Sequence, residues 1–551
     1  MKTKNLLMII IAFALMGLSN LLIAQAPSWA WAKSCGSVSI EYSNATCTDA
    51  NGNVYITGTF QGSSVIFGND TLHNNAAGNL DVFIAKFDAN GNVLWARSGG
   101  GTNNDYTYGI CTDANDNVFI EGYSNGSSIT FDTITLNSSV NEFIFIVKYD
   151  SIGNVQWGKN GRGTANYGWG ICSDVAGNVY LYGNSDSYSN NIIFDNDTLG
   201  YGAFIVKYDG GGNVVWAKNI AGHLVANDRE QSMCADLSGN IYITGSVYGT
   251  AIFGNDTLTG TFTVFVAKYD SNGNLLWVKG AHGSGIGNAI AADANGNIYL
   301  TGYFGTSIVF GNDTLAGQPF SAATIFIAKY DSNGNALWGL SPGGTYSDFG
   351  QSICTDSSGN IFVTGYFTSP YLNFGGIPVI NNNIGNNDIF IAKYDANGYA
   401  LFAQSIGAGS EYGMGVCADR NNNVYLTGYF GSYSINFGSN TVTNNGSYDI
   451  FLAKLANNIV TFVAEVEAVA GISVYPNPAS TLLNIHHSTC TSPETLLITD
   501  LLGTEVYKEE LHGIDNTISI STWSAGIYFY EVRGSALQFP TSIRGKFVVQ
   551  K

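Results

Sequence analysis

Short apolar runs alternate with turns of Asp, Asn, Gly and Ser along most of the chain, and the runs repeat. The segment "AKYDSNGNLLWVK" from Ala267 has close copies beginning at Ala85, Val147, Val206, Ala328 and Ala392, and a further one from Ala453 that breaks off halfway. A Lys closes an apolar strand in each: Lys86, Lys148, Lys207, Lys268, Lys329, Lys393 and Lys454. An Asp before a Gly/Asn turn and another apolar strand recurs as often, at Asp49, Asp113, Asp174, Asp236, Asp293, Asp356 and Asp419. The six intervals between Lys86 and Lys454 average about 61 residues, and such a fixed period is the mark of a repeat architecture. Each unit reads as four strands: an inner one ending in "CTD" or a variant, then "NVYITG", "VFIAK" and "NVLWAK". Turns such as "DANGN" and "DSNGN" supply the local hydrogen bonds and positive backbone angles of a tight hairpin.

An aromatic follows nine residues after six of the seven Lys: Trp95, Trp157, Trp216, Trp277, Trp338 and Phe402. After Lys454 that place holds Val463, and the missing aromatic stands at the other end of the chain as Trp31 in "WAWAK". The expected fold is therefore all-β: a seven-bladed β-propeller with four strands per blade, closed by the N-terminal strand so that no sheet keeps an open gap. The surplus over common propeller repeats lies in "SSVIFGNDTLHNN" and its copies at Phe194, Phe253 and Phe310, which read as short rim hairpins. Residues 27–456 resemble the bacterial SBBP beta-propeller repeat family through the patterns "D..GNvYvtG" and "D.FiAKyd..Gn..W". That resemblance implies the fold and no single activity.

Composition narrows the partners. The 551-residue chain is 45% hydrophobic but only 11% charged, with a formal net charge of −19 and no Lys/Arg cluster. Such a field repels phosphate backbones and anionic membranes, which argues against nucleic acid as a partner. Lys2, Lys4, the apolar run from Leu6 to Leu18 and the small residues near Ala24 read as a signal peptide over residues 1–26. No later segment approaches the roughly 20 apolar residues of a spanning helix, so no transmembrane span is expected in the mature chain. Cys47, Cys111, Cys172, Cys234, Cys354 and Cys417 each stand two residues before a landmark Asp, with Ala291 in the remaining copy, so they read as small buried fillers and free thiols. Cys35 and Cys490 lie in different segments.

After an irregular linker, 457–471, the residues 472–551 carry short alternating strands that suggest a small Ig-like β-sandwich. Tyr475, Pro476, Asn477 and Pro478, the strand "GIYFYEVR" and the terminal run with Gly545 and Lys546 resemble the C-terminal sorting domain of type IX secretion substrates. The resemblance implies recognition by the type IX secretion machinery, crossing of the outer membrane, removal of the tail near the linker, and a secreted or surface-held product.

No chemistry stands out. The six His residues fall at unrelated repeat positions, and neither a nucleophile motif nor a phosphate-binding loop is present, so no catalytic, cofactor or metal residues are nominated. The "DANGN" turns place oxygens as calcium loops do but lack the later Gly and Glu; a plain hairpin explains them, with calcium as the alternative. The Asp-Thr-Leu of "NDTL" resembles an O-glycan acceptor motif of bacteria that use this secretion route, which would make Thr71, Thr198, Thr257 and Thr314 acceptors in place of plain rim residues.

Eight residues before the landmark Asp lie Glu41, Asp105, Asp228, Asp348 and Glu411, followed or accompanied at the equivalent places by Tyr42, Tyr106, Tyr167, Phe349 and Tyr412. Entering the innermost strands, they should ring one mouth of the central channel. They either bind a cation, basic segment or sugar, or cap their own loops. The resulting reading is a secreted or surface-exposed binding module for a glycan or protein, with a polysaccharide-active propeller enzyme and a structural adhesin as alternatives.

Overall fold

The computed structural model describes residues 28–163, 166–185, 191–225, 232–317, 323–456, 472–475, 479–487, 494–500, 504–511, 514–524, 526–534 and 542–549. Residues 1–26 and 457–471, read above as signal peptide and linker, together with Asp228, Cys490, Pro476, Asn477 and Pro478, lie outside them. All regular structure among the described residues is β, and no helix there is long and apolar enough to cross a membrane. The chain divides into two compact units, Met1–Asn457 and Asn458–Lys551.

In the first unit, each repeat folds its strands antiparallel in chain order. The first runs Glu41–Thr48, Val54–Phe60, Asp81–Phe87 and Val93–Gly100, each paired with the one before it. Its second and third strands are buried at every residue. One face packs Tyr55, Val82 and Ile84 against Ile120 and Phe145 of the next repeat; the other packs Ile56, Phe83 and Ala85 against Tyr425, Ile450 and Leu452. Burial on both faces explains why these strands read as unbroken apolar runs and not as alternating ones.

A single cross-strand row links the recurring residues. Cys47 pairs with Tyr55, Tyr55 with Lys86 and Lys86 with Trp95. The same register gives Cys172, Tyr180, Lys207 and Trp216 in the third repeat, and Cys354, Phe362, Lys393 and Phe402 in the sixth. Lys86 is buried, lies 4.9 Å from the centre of the Tyr55 ring, pairs with Asp49 Oδ2 at 3.2 Å, and donates to the Ser151 carbonyl of the next repeat at 3.0 Å. Trp95 Nε1 donates to the same carbonyl at 3.2 Å. The turn that offers it needs Gly153, whose φ is +86° and on which a Cβ would stand 2.7 Å from the Trp95 ring. Lys148 and Trp157 dock likewise on Gly210 O, Lys207 and Trp216 on Ser271 O, and Lys268 and Trp277 on Ser332 O. Trp338 packs over its turn glycine, Gly398, without that bond.

The strand Trp29–Cys35 pairs antiparallel with Asp449–Leu455, placing Trp31 opposite Lys454. Ala456 N donates to Ser28 O at 2.9 Å, and both Trp31 Nε1 and Lys454 Nζ reach the Ala89 carbonyl of the first repeat. Here the third and fourth strands come from opposite ends of the chain, so no hairpin turn joins them. The preceding row ends accordingly in Phe402, an aromatic with no N–H to satisfy, while Lys393 pairs with Asp356 of its own sheet at 3.9 Å.

Rim hairpins follow the second strand in every repeat, including those without "NDTL": Ser128–Phe131 with Ile134–Asn137, Tyr371–Phe374 with Ile377–Ile380, and Ser434–Phe437 with Asn440–Thr443. The shared anchor is a buried Phe against a third-strand Phe, as in Phe67 on Phe83 at 5.0 Å and Phe437 on Phe451 at 5.1 Å. Sequence reading placed the copies at Phe194, Phe253 and Phe310 without reading the Phe as the anchor, and so did not extend them to the repeats that lack Asp-Thr-Leu. In the fourth repeat the hairpin merges with its strands, giving Ile241–Phe253 and Asp256–Tyr269.

The second unit forms two sheets. One holds Ile472–Tyr475, Leu482–His487 and Asp515–Ser519; the other holds Glu505–Leu511, Glu494–Thr499, Gly526–Gly534 and Ser542–Val549. Leu483, Ile485, Leu496, Ile498, Ile518 and Phe547 share its core. Gly545 and Lys546 sit in the last strand opposite Tyr530 and Phe529.

The docking row carries a test by denaturant unfolding. Trp95→Phe should cost about 1–3 kcal/mol through the lost bond and ring volume. Phe402→Trp should also destabilise, because its buried indole N–H finds no hairpin carbonyl; a stabilising Phe402→Trp would contradict the seam.

Candidate functional site

In four repeats the first strand opens with an acid followed by an aromatic: Glu41–Tyr42, Asp105–Tyr106, Asp348–Phe349 and Glu411–Tyr412. The acids turn inward. Glu41, Asp105, Asp348 and Glu411 have no exposed surface. Glu41 accepts from Ser37 N at 2.9 Å and Ser37 Oγ at 2.5 Å; Asp105 accepts from Gly101 N at 2.7 Å. Asp348 accepts from Thr368 N, Ser369 N and Ser369 Oγ, and Glu411 from Ala408 N and Gly409 N. Each carboxyl thus holds the loops around its own strand. Burial raises Asp105 to about 7 and Asp348 to about 6, against the opposing pull of those hydrogen bonds.

The aromatics cluster at the entry to the first strands, most of them half-buried, joined by partners from the second strands, of which Tyr429 is buried. Tyr303, Phe349, Tyr366, Tyr412, Tyr429 and Tyr42 form a continuous arc with successive ring centres 4.6–5.1 Å apart. A shorter arc runs Tyr106, Tyr123, Tyr167 at 4.8 and 5.1 Å. The arcs are interrupted where the second strand carries Thr59 opposite Tyr42 and Asn184 opposite Tyr167. Tyr448 joins the long arc 5.6 Å from Tyr429. Beside it opens a cavity of about 280 Å³ lined by Asn386, Ser410, Ser432, Ser447 and Tyr448, with Gly409 and Gly431. Sequence reasoning missed Tyr123, Tyr303, Tyr366, Tyr429 and Tyr448. The first four were legible as the aromatic after Gly in "EGY" and "TGY".

Other proposed positions fall as follows. Thr71, Thr198, Thr257 and Thr314 are exposed on their rim hairpins. The "DANGN" turn engages its Asp internally: Asp88 accepts from Asn90 N, Asn92 N and Asn92 Nδ2. Cys35, Cys47, Cys111, Cys172, Cys234, Cys354 and Cys417 are free thiols, and burial pushes those of Cys35 and Cys417 up to about 12. Among the described residues no group of three or more His, Cys, Asp or Glu is arranged to hold a metal.

Glu121 stands apart. Thr57, Thr244, Thr301, Thr364 and Thr427 occupy its position in other repeats and donate to third-strand carbonyls. Glu121 is fully buried over Gly168, and both its oxygens lack partners among the described residues. Burial raises it to about 8, so it is held neutral at pH 7.

The model for the secretion system C-terminal sorting domain matches residues 473–550, and that for the beta-propeller repeat matches 339–370. An uncharacterized WD repeat-containing protein, L264, of Acanthamoeba polyphaga mimivirus is 26% identical over 486 residues, covering 70% of this chain and 34% of that protein. The chain therefore spans about a third of that relative's length. Among solved structures, PorZ, an essential surface component of the type IX secretion system of Porphyromonas gingivalis, aligns over 94% of this chain and 100% of its own at 10% identity and a TM-score of 0.25. The Pan2 WD40 domain of Neurospora crassa aligns over 79% and 98% at 9% identity and a TM-score of 0.36.

Glu121 yields a pH test. Its carboxyl loses its proton near 4.5 when unfolded and near 8 when folded, so the wild-type chain loses stability progressively as pH rises between those values. Glu121→Gln should gain on the wild type across that window in thermal melts; a constant difference at all pH values would contradict a neutral, buried Glu121.

Proposed function

We propose that this chain, which carries a β-propeller repeat and a type IX sorting tail and is thereby addressed to the cell surface or extracellular space, is a glycan-binding module. Its first unit is a closed seven-bladed ring. The pairing of Trp29–Cys35 with Asp449–Leu455, and the docking of Trp31 and Lys454 on Ala89, support that closure. Residues 472–551 act as the sorting domain and are removed near 457–471.

The observation that carries the binding role is the arc of half-buried rings around the mouth, beside a cavity walled by hydroxyl and amide groups. Aromatic faces take the apolar faces of sugar rings while hydroxyl and amide groups meet the sugar hydroxyls. Tyr42, Tyr106, Tyr167, Phe349, Tyr412 and Tyr448 are the contact residues in this reading. Glu41, Asp105, Asp348 and Glu411 hold the loops that present them. The net charge of −19 disfavours anionic polysaccharides and favours neutral ones.

Binding of the full secreted protein to a panel of neutral and anionic glycans, with and without calcium, tests this. Neutral glycans should bind, and Tyr412→Ala with Tyr448→Ala should weaken binding about tenfold. Binding unaffected by the pair, or no binding at all, would defeat the reading.

The exposed Thr71, Thr198, Thr257 and Thr314 are proposed O-glycan acceptors. The intact mass of the secreted protein should exceed that of the polypeptide and fall when the four are changed to Ala; a bare mass would eliminate the modification.

A further inference from the structure

Where the aromatics cluster, the third strand of one repeat and the first strand of the next seat two acids beside each other in a recurring frame. Asp105 N donates to Leu80 O at 2.7 Å, seating Asp105 beside Asp81; Glu411 N donates to Asn387 O at 2.9 Å, seating it beside Asp388. Both third-strand acids use one oxygen in the same way. Asp81 Oδ2 accepts from Asn75 N, and Asp388 Oδ2 from Asn382 N, each at 2.8 Å. Gly100 and Gly407 lie directly on these carboxyls, leaving no room for a Cβ.

All four acids are wholly buried, and each keeps one oxygen with no hydrogen-bond partner among the described residues: Asp81 Oδ1, Asp105 Oδ1, Asp388 Oδ1 and Glu411 Oε1. Among the described residues, no Lys, Arg or His forms an ion pair with any of them. The groups that face them are acids or neutral donors. Asn75 N–H hydrogen-bonds Asp81; Gly101 N–H and the Ser124 hydroxyl donate to Asp105, whose carboxyl also meets the charge of Asp81. Asn382 and Glu411 face Asp388, and Tyr448 faces Glu411. A third junction supplies a built-in comparison. Glu41 N donates to Tyr448 O, which seats Glu41 beside Asp449, but there the Ser37 hydroxyl and N–H occupy both Glu41 oxygens.

We propose that Asp81 with Asp105, and Asp388 with Glu411, each share one proton between their otherwise unpartnered oxygens, making two proton-operated clasps that join consecutive sheets under the mouth. Two buried like charges cannot both ionise cheaply, whereas one proton taken from solvent satisfies both oxygens at once. The direction of titration agrees. Burial raises Asp81 and Asp388 to about 6 and Asp105 to about 7, with the partner acid adding to the rise at Asp105 and Asp388. Folded chains therefore hold protons that unfolded chains release near 3.8, so the clasps tighten in mild acid and open as pH rises through about 6–7.

Thermal melts of the full-length protein from about pH 5 to about pH 8 test the clasps. Asp105→Asn and Asp388→Asn each put an amide N–H where the shared proton stands, without needing protonation. The variants' midpoints should rise relative to wild type as pH rises through that window. Melting curves that stay parallel at all pH values overturn the proposal. If the variants fail to fold, the infrared difference at about pH 6 between wild type and Asp81→Asn or Glu411→Gln decides, because Glu121 also carries a proton there: a loss of protonated-carboxyl absorption in the variant supports the clasps, and an unchanged absorption overturns them. A wild-type midpoint raised by calcium and lowered by chelator at about pH 8 would assign the oxygens to a cation instead.

Discussion

Five successive sheets of the first unit are each pinned to the next by one buried lysine: Lys86, Lys148, Lys207, Lys268 and Lys329. Lys86 answers three demands at once: the negative charge of Asp49 in its own sheet, the face of the Tyr55 ring, and the backbone carbonyl of Ser151 in the neighbouring sheet. A buried ammonium is costly unless paired and hydrogen-bonded, so its position is fixed closely. The rest is arranged around it. The Asp must stand six residues before the Tyr, as Asp49 and Tyr55 do, and the turn of the next sheet must present a carbonyl and a glycine under the preceding Trp.

That constraint explains why so much of the architecture was legible. Cys47, Lys86 and Trp95 were visible as separate landmarks because each belongs to one cross-strand row, and a row repeats whenever a sheet does. The displacement of Trp31 to the far end of the chain foretold its pairing beside Lys454. The departure at Phe402 is equally informative: an indole is present where a hairpin can accept its proton and is replaced by phenyl where the chain ends lie instead. The rim hairpins were read only in part, since their anchor is a Phe pair formed across distant segments, such as Phe131 with Phe145.

The mouth was legible in position but not in orientation. Sequence spacing marked Glu41, Asp105, Asp348 and Glu411, which open the first strands of their repeats, yet could not tell that their carboxyls turn away from the neighbouring aromatics. The chain direction of a strand alternates its faces, so Glu41 turns under the loop while Tyr42 lies across Tyr429. The acid pairs beneath were invisible in sequence because Asp81 and Asp105, or Asp388 and Glu411, meet only through pairing between repeats. What results is an aromatic arc carried on a frame of buried carboxyls, and the frame, unlike the arc, is sensitive to protons.

The dependence of the whole unit on its seam is most directly tested by amide hydrogen exchange of the secreted protein, resolved over Trp29–Cys35 and Asp449–Leu455. Closure by the N-terminal strand predicts slow exchange in both, comparable with the interior strand Val54–Phe60. Rapid exchange in Trp29–Cys35 beside a protected Val54–Phe60 would mean that the first and last repeats are not joined.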